Sequence, residues 1–460
     1  MSNSRVILVA SPVGTSSSNS RTHPSAQIVA QIQAELDALW LGWSDGNTIP
    51  ADVKVSTEGR YGVRLEAHVR DVLAERVNSA MLWPTFYGRT DLIDFDSDAY
   101  ELYQHTNAKL AVEAANWMTD DAVVWAHDYM HLPFGQALRR AGSMAPVGFL
   151  FHAPFPPSDL FVSMPRHEQL LRQLCVYDVI SFQSEACRGH FEQAAHRSIG
   201  AKPTAGGLVS ASGRVRTRVD ELPGRYHEIK ATIQSPIQRE AANHLRGCTD
   251  DNRLIGSFAS LDPAQGILER FHSFEMLLDE ANELKTKTSL VHASLPQHPW
   301  LTEDTHLRAE IERVSSSING KFATLQWNPI HYFHDPLDDV RFLALCRESS
   351  VALVTPFCEG VSLAAKDFVA AQEPDDPGVL ILSNLISSAL RYDGALLVNP
   401  HDKAALMQAM RHALAMPRVE RHIRWRKLID LFEGEMLSGL CHRFIDELKS
   451  TAKRTSRNAG

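Results

Sequence analysis

Long apolar runs are missing from this chain of 460 residues. The longest, such as Val147–Phe151, are strand-sized and far short of the ~18 residues that span a bilayer. An excess of positive charge is missing too. Lys and Arg number 46 against 55 Asp and Glu, a net charge of −9. A binder of nucleic acid or of an anionic membrane needs clustered Lys and Arg to neutralise phosphates, so neither partner is expected. Cysteine is scarce: the six residues show no CxxC pair, which supports neither a disulfide framework nor a zinc site. The first ten residues carry one Arg and the short apolar run Val6–Ala10, too little for a secretory leader. Low-complexity tracts are confined to Thr15–Ser20 and Lys449–Gly460. These absences predict a cytoplasmic globular protein, and at ~150 residues per domain the length predicts two or three domains.

What is present is a rhythm. Short apolar runs recur at Val6–Ala10, Ala80–Pro84, Val123–His127, Val147–His152 and Val179–Gln183. A second series follows at Leu254–Phe258, Ser289–Ala293, Ala323–Trp327, Val351–Pro356, Val379–Ser383 and Ala395–Val398. Runs without strict polar alternation suit strands buried on both faces, as parallel sheets require. Helical patterns lie between them, at Ile267–Leu284, Leu307–Ser317, Pro336–Arg347 and Lys403–Ala415. Strand and helix in alternation predict the α/β class, with two Rossmann-like, doubly wound domains. Between the two series, Gly207–Val219 reads as a β-hairpin turning at Ser212–Gly213, and Pro223 to Gly247 as an irregular linker. The expected domains are therefore 1–237 and 238–430, with 431–460 as a final helix and polar tail. Ligands of such folds bind at the carboxyl ends of strands, and two facing sheets would place theirs in an interdomain cleft.

Polar residues gather after the apolar runs. His127-Asp128-Tyr129 follows one and His152-Ala153-Pro154 another, and a His–Asp pair at a strand end suits acid–base work. Val351–Pro356 leads into Phe357-Cys358-Glu359-Gly360-Val361-Ser362-Leu363, a strand, a turn and a helix start. Backbone N–H groups at such a start suit a diphosphate. The His331–Asp335 segment has two His and one Asp, but Pro336 makes Asp335 an N-cap and not a metal ligand, so no metal is expected.

Several motifs together resemble the trehalose-6-phosphate synthase family, retaining glycosyltransferases of GT-B architecture. They include Leu41-Gly42-Trp43-Ser44, Leu82-Trp83-Pro84, His127-Asp128-Tyr129, Leu132-Pro133-Phe134 and Pro154-Phe155-Pro156. In the second half they include Ile318-Asn319-Gly320-Lys321, Leu353-Val354-Thr355-Pro356, Ala365-Lys366-Asp367 and Val398-Asn399-Pro400. The resemblance runs from about Val6 to Leu448. It implies that Asp128, His152 and Glu359 line the sugar cleft as catalytic-site residues. It further implies a donor site from Ser260, Gln265, Gly360, Val361, Ser362, Leu363, Ala364 and Asp367, with Asp367 on the ribose. The acceptor side would hold Arg89, Tyr100 and Tyr129. The partners implied are a nucleotide sugar and a small sugar acceptor, with no cofactor, and a homo-oligomer or an active synthase as protein partner. The last helix would cross back to the first domain.

Departures from the family pattern concern charge. Ser260 and Gln265 stand where the family has Arg and Lys for the leaving diphosphate. Ala10-Ser11-Pro12 and the segment around Pro296-Gln297-His298 replace the acceptor-side arginines, and Arg391 is the candidate compensating cation. Losing one preorganised charge-stabilising donor costs ~3 kcal/mol in the transition state. Two functions of different class are therefore expected: a sugar transferase working with altered phosphate ligands, or a non-catalytic homologue that binds or regulates a partner.

Overall fold

The computed structural model describes residues 5–11, 24–44, 59–248, 252–298, 300–302 and 304–458; Pro12 and Thr15–Ser20 lie outside them. Two sheets organise the molecule. The first comprises β1 (Val6–Val9), β2 (Leu39–Ser44), β3 (Arg60–Arg64), β4 (Val123–His127), β5 (Val147–Leu150), β6 (Val179–Phe182), β7 (Lys202–Thr204), β8 (Gly207–Ser210) and β9 (Gly213–Val219). The second comprises β10 (Arg253–Ser260), β11 (Thr288–Leu295), β12 (Ile330–Phe333), β13 (Ser349–Val354), β14 (Val379–Ser383) and β15 (Leu396–Val398).

The first sheet runs β3-β2-β1-β4-β5-β6-β9-β8-β7, parallel except for the antiparallel β7–β8 and β8–β9 pairs; the second runs β12-β11-β10-β13-β14-β15, parallel throughout. In both, the first strand has the second on one side and the fourth on the other. This is the doubly wound order, whose ligand crevice opens where the order reverses, between β1 and β4 and between β10 and β13. The expected α/β class and the β8–β9 hairpin are both present.

Local details differ from the sequence reading. Ala80–Pro84 is helical: the helix Ala67–Val72 continues as a widened, π-type segment Leu73–Leu82 and then Trp83–Phe86. The Trp83 N–H reaches back five residues to the Asn78 carbonyl, and such widened turns concentrate at functional sites. Ala323–Trp327 is a loop, and the strand is Ile330–Phe333. The following helix is capped by Asp338, not Asp335. Pro223–Gly247 contains two helices, Tyr226–Thr232 and Pro236–Cys248; Pro236 opens the second, where its missing N–H costs nothing. Ile229 and Ile233 pack into the core of the second sheet.

The chain crosses between the sheets twice, after β9 and again near Glu435. Helix Arg418–Glu433 buries Trp425, Leu428 and Phe432 on the second domain. Helix Leu437–Asn458 returns to the first, where Phe444 stacks on Trp125 at 4.2 Å between centroids and 12° between planes. A Cβ on Gly148 would lie 2.5 Å from the Phe444 ring, so only glycine lets the helix sit this close to β5. Among the described residues no helix is long and apolar enough to cross a membrane.

Candidate active site at the interdomain cleft

The carboxyl ends of the central strands converge on one cleft. From β4 comes Asp128, buried and held at φ 72°, ψ 149°. That region is open in practice only to glycine, and a non-glycine residue there costs of order 1–3 kcal/mol. The carboxylate accepts from Tyr129 N–H at 2.6 Å and pairs with His298 Nε2 at 2.7 Å. Burial opposes ionisation, but the His298 charge and hydrogen bond win, and Asp128 is held well below the usual carboxylate range. After β5 comes His152, whose Nε2 lies 3.1 Å from Nδ1 of the buried His127. Burial pushes His152 down to about 4, so it is neutral near pH 7.

The second sheet supplies the opposite wall. From β10 come Ser260, Asp262 and Gln265; from β13 comes the Phe357–Ser362 turn. Asp262 caps the turn Pro263–Gln265 and accepts from Trp83 Nε1 at 3.1 Å, a bond across the cleft. Burial raises Asp262 to about 6 despite its N–H partners. Glu359 is raised to about 8, first by burial and further by Asp262, with the Arg270 charge opposing. Its Oε2 is buried and has no hydrogen-bond partner. Gly360 closes the gap between the domains. A Cβ there would sit 3.2 Å from the His152 carbonyl oxygen and 3.3 Å from Gln183 Cγ, tighter than ordinary contact.

Two cavities lie along this seam and share Leu295. One, with an empty volume of about 500 Å³ including open solvent, is lined by Trp83, Tyr87, Ser260, Asp262, Gln265, Pro296, His298 and Glu359. The other, about 380 Å³, is lined by Gln27, Ile28, Gln31, Arg225, Leu363, Ala364 and Asp367, among others. The helix Leu363–Ala371 begins there, with Ser362 as its N-cap. Asp367 is salt-bridged to Arg225 at 2.9 Å, and Arg225 also forks onto Asp339.

The structure thus brings Glu359, Ser260 and Gln265 to one cavity and Leu363, Ala364 and Asp367 to the next. Asp128, His152 and Gly360 line neither: Asp128 meets the larger cavity through its partner His298, and Gly360 abuts the His152 carbonyl. Val361 instead packs in an apolar cluster with Val6, Leu8 and Leu440 of the first-domain side. Tyr129 is buried between Phe86 and His298. Two acceptor-side residues stand elsewhere. Tyr100 is 1% exposed, packed on Phe95 and Tyr103 in the first-domain core because its helix turns it inward. Arg89 lines neither cavity and forks onto Asp91, though its charge still reaches Asp262. Arg391 lines neither cavity: it pairs with Glu221 and Glu435, which also hold the buried Lys366.

Sequence reasoning missed Asp262, Tyr87, Arg225, Trp300 and the buried Arg270. The Asp262-Pro263 pair after an apolar run was a legible N-cap signal. Arg270 is fully buried and donates to Thr355 Oγ1, Ser257 Oγ and the carbonyls of Phe258 and Gln265, fixing the 257–265 turn from behind.

Comparison with known proteins agrees with this geometry. The sequence profile described as Glycosyltransferase family 20 matches residues 11–450. A trehalose-6-phosphate synthase of Citrobacter koseri is 33% identical over 424 residues, 91% of this chain and 89% of that one. The alpha,alpha-trehalose 6-phosphate synthase of Burkholderia multivorans superposes with a TM-score of 0.90 at 32% identity, covering 99% of this chain and 98% of that one. A Burkholderia xenovorans alpha,alpha-trehalose-phosphate synthase (UDP-forming), solved in complex with glucose-6-phosphate, gives 0.89 at 30% identity over 96% and 100% of the two chains. The two doubly wound domains facing across the cleft are the GT-B arrangement of these enzymes, and the chain belongs to glycosyltransferase family 20.

Proposed function

We propose that the protein transfers a hexosyl group, with retention, from a nucleoside-diphosphate sugar to a small sugar-type acceptor. The observation that carries this reading is a cleft with Asp128, strained, buried and ionised, on one wall and the Glu359–Gly360 turn, packed against His152, on the other, followed by a helix N-terminus. At the helix start, backbone N–H groups and the helix dipole favour a diphosphate. Asp367 accepts from ribose hydroxyls, with Arg225 beside it as a donor. Glu359, largely protonated near neutral pH, both donates to and accepts from sugar hydroxyls. The leaving diphosphate meets amides and the Arg270-braced turn in place of the family's Arg and Lys. The relative from E. coli, solved with UDP-2-fluoro glucose, makes a uridine nucleotide the first donor to test.

Calorimetric titration with UDP, GDP and UDP-glucose, followed by a transfer assay with product identification by NMR, tests the reading. Micromolar nucleotide binding with sugar transfer is expected. Nucleotide binding without transfer to any acceptor would favour the non-catalytic homologue, and no binding at millimolar nucleotide would remove the donor site altogether.

A further inference from the structure

Residues 296–298 and 300–302 follow the carboxyl end of β11 in the second sheet but are built against the first domain. Trp300 is 5% exposed and belongs to the first-domain core. Its ring stands edge-on to Trp43 at 5.5 Å, and its Nε1 donates to the Ser11 carbonyl at 3.3 Å. Its own carbonyl accepts from Asn78 Nδ2 at 2.8 Å, and Thr302 hydrogen-bonds to Ser79. His298 stacks on Tyr129 and holds Asp128. Ser11 accepts from Trp43 N–H at 2.8 Å, and its Oγ meets His131 Nε2 at 3.0 Å. Most polar groups of this aromatic wall are thus taken up by the chain itself; Trp43 Nε1, Asn78 Oδ1 and the Tyr129 hydroxyl are buried without a partner.

What still faces the larger cavity is chemistry for a neutral polyhydroxy ring. Trp83 and Tyr87 stack at 5.3 Å and 17° and offer an aromatic face to ring C–H groups. Asp262, Glu359, Gln265 and Ser260 offer acceptors to hydroxyl donors. Within this lining Glu359 Oε2 is buried without a partner. A phosphate calls for N–H or cationic donors, above all an Arg fork. Among the described lining residues the basic side chain is His298, and it is committed to Asp128.

We infer that the acceptor is a sugar or polyol without a phosphate, and that His298 and Trp300 set this specificity by filling the first-domain wall of the cleft. The inference rests on the glycosyl-transfer reading above and names its acceptor class. It separates this chain from the relative that was solved with glucose-6-phosphate.

The test is a parallel assay of the full chain with the donor that titration identifies, offering glucose and glucose-6-phosphate as acceptors. A kcat/KM at least ~10-fold higher for glucose is expected, and a preference for glucose-6-phosphate overturns the inference. His298→Arg restores a fork to this wall. It should lower the glucose preference at least ~10-fold, chiefly through the KM of the phosphate acceptor. A folded His298→Arg protein with the wild-type ratio overturns the role given to His298; if the variant does not fold, the wild-type comparison still decides the acceptor class. Absence of transfer to either sugar is a failure of the transferase reading. The acceptor class is then decided by saturation-transfer NMR of the two sugars with UDP present: binding of glucose alone supports it, and binding of glucose-6-phosphate or of neither overturns it.

Discussion

The two domains share a central strand order but differ in how complete each is by itself. The second sheet takes its covering helices from its own half of the chain and from the adjacent Tyr226–Cys248 stretch. The first borrows Trp300 from the segment after β11, Val361 from the turn after β13 and Phe444 from helix Leu437–Asn458. The ligand edges differ in the same sense. The second domain leaves a helix start, Leu363 and Ala364, on a cavity, whereas the corresponding wall of the first is filled by His298 and Trp300. Topology fixes where a ligand edge lies; segments from far along the chain decide what that edge offers.

That contrast can be broken most strongly at the borrowed helix. Phe444→Ala removes a fully buried ring, which costs about 3–5 kcal/mol, and the loss should fall on the first domain. Urea unfolding followed separately by hydrogen exchange in each sheet reads this out, and equal loss in both sheets would contradict it. Next is Lys366→Met, which leaves Glu221 and Glu435 buried with the half-exposed Arg391 as their cation and the Tyr392 hydroxyl on Glu221. Breaking a buried pair this way costs about 3 kcal/mol. Because burial raises Glu435, the loss in melting temperature should shrink as the pH is lowered.

Glu359→Gln sharpens the comparison from the second-domain wall. The Glu359 carboxyl moves from 4.5 when unfolded to about 8 when folded. Its contribution is therefore fully present below 4.5 and lost as the pH rises through 8. The variant, which cannot ionise, should gain on the wild type with rising pH, by up to about 5 kcal/mol near pH 9. Thermal melts across pH measure this, and a gap independent of pH would refute it. Asp367→Asn should weaken nucleotide binding about tenfold by calorimetry, the loss of about one charge-assisted hydrogen bond. Arg391→Ala should change stability by less than about 1 kcal/mol and leave nucleotide affinity within about twofold. A larger drop in affinity would return Arg391 to the donor site.

Much of the fold was legible because parallel strands buried on both faces leave continuous apolar runs, as at Val123–His127 and Val379–Ser383. The exceptions have physical causes. Arg60–Arg64 is an edge strand with little of it buried, so it reads as polar. Ala80–Pro84 is as apolar as a strand, but its side chains are buried all round a helix, a case that periodicity alone cannot separate. Ala323–Trp327 carries one deeply buried residue, Trp327, on an otherwise exposed loop. The cleft residues of the second sheet were readable from the strand–turn–helix pattern and the family resemblance. The His298–Asp128 pair was not, since its partners lie 170 residues apart and periodicity carries no information about contacts at that range.

Gly148 and Phe444 also set a timetable. On a ribosome, β4 and β5 emerge nearly 300 residues before the ring that covers them, a delay of about 15–60 s at ordinary elongation rates. Through that interval the nascent first domain exposes an uncapped apolar strip around Trp125, while the second domain is made behind it. Helix Leu437–Asn458 therefore completes the first domain late, and a message truncated before Leu437 would release a product with that strip bare to chaperones and proteases.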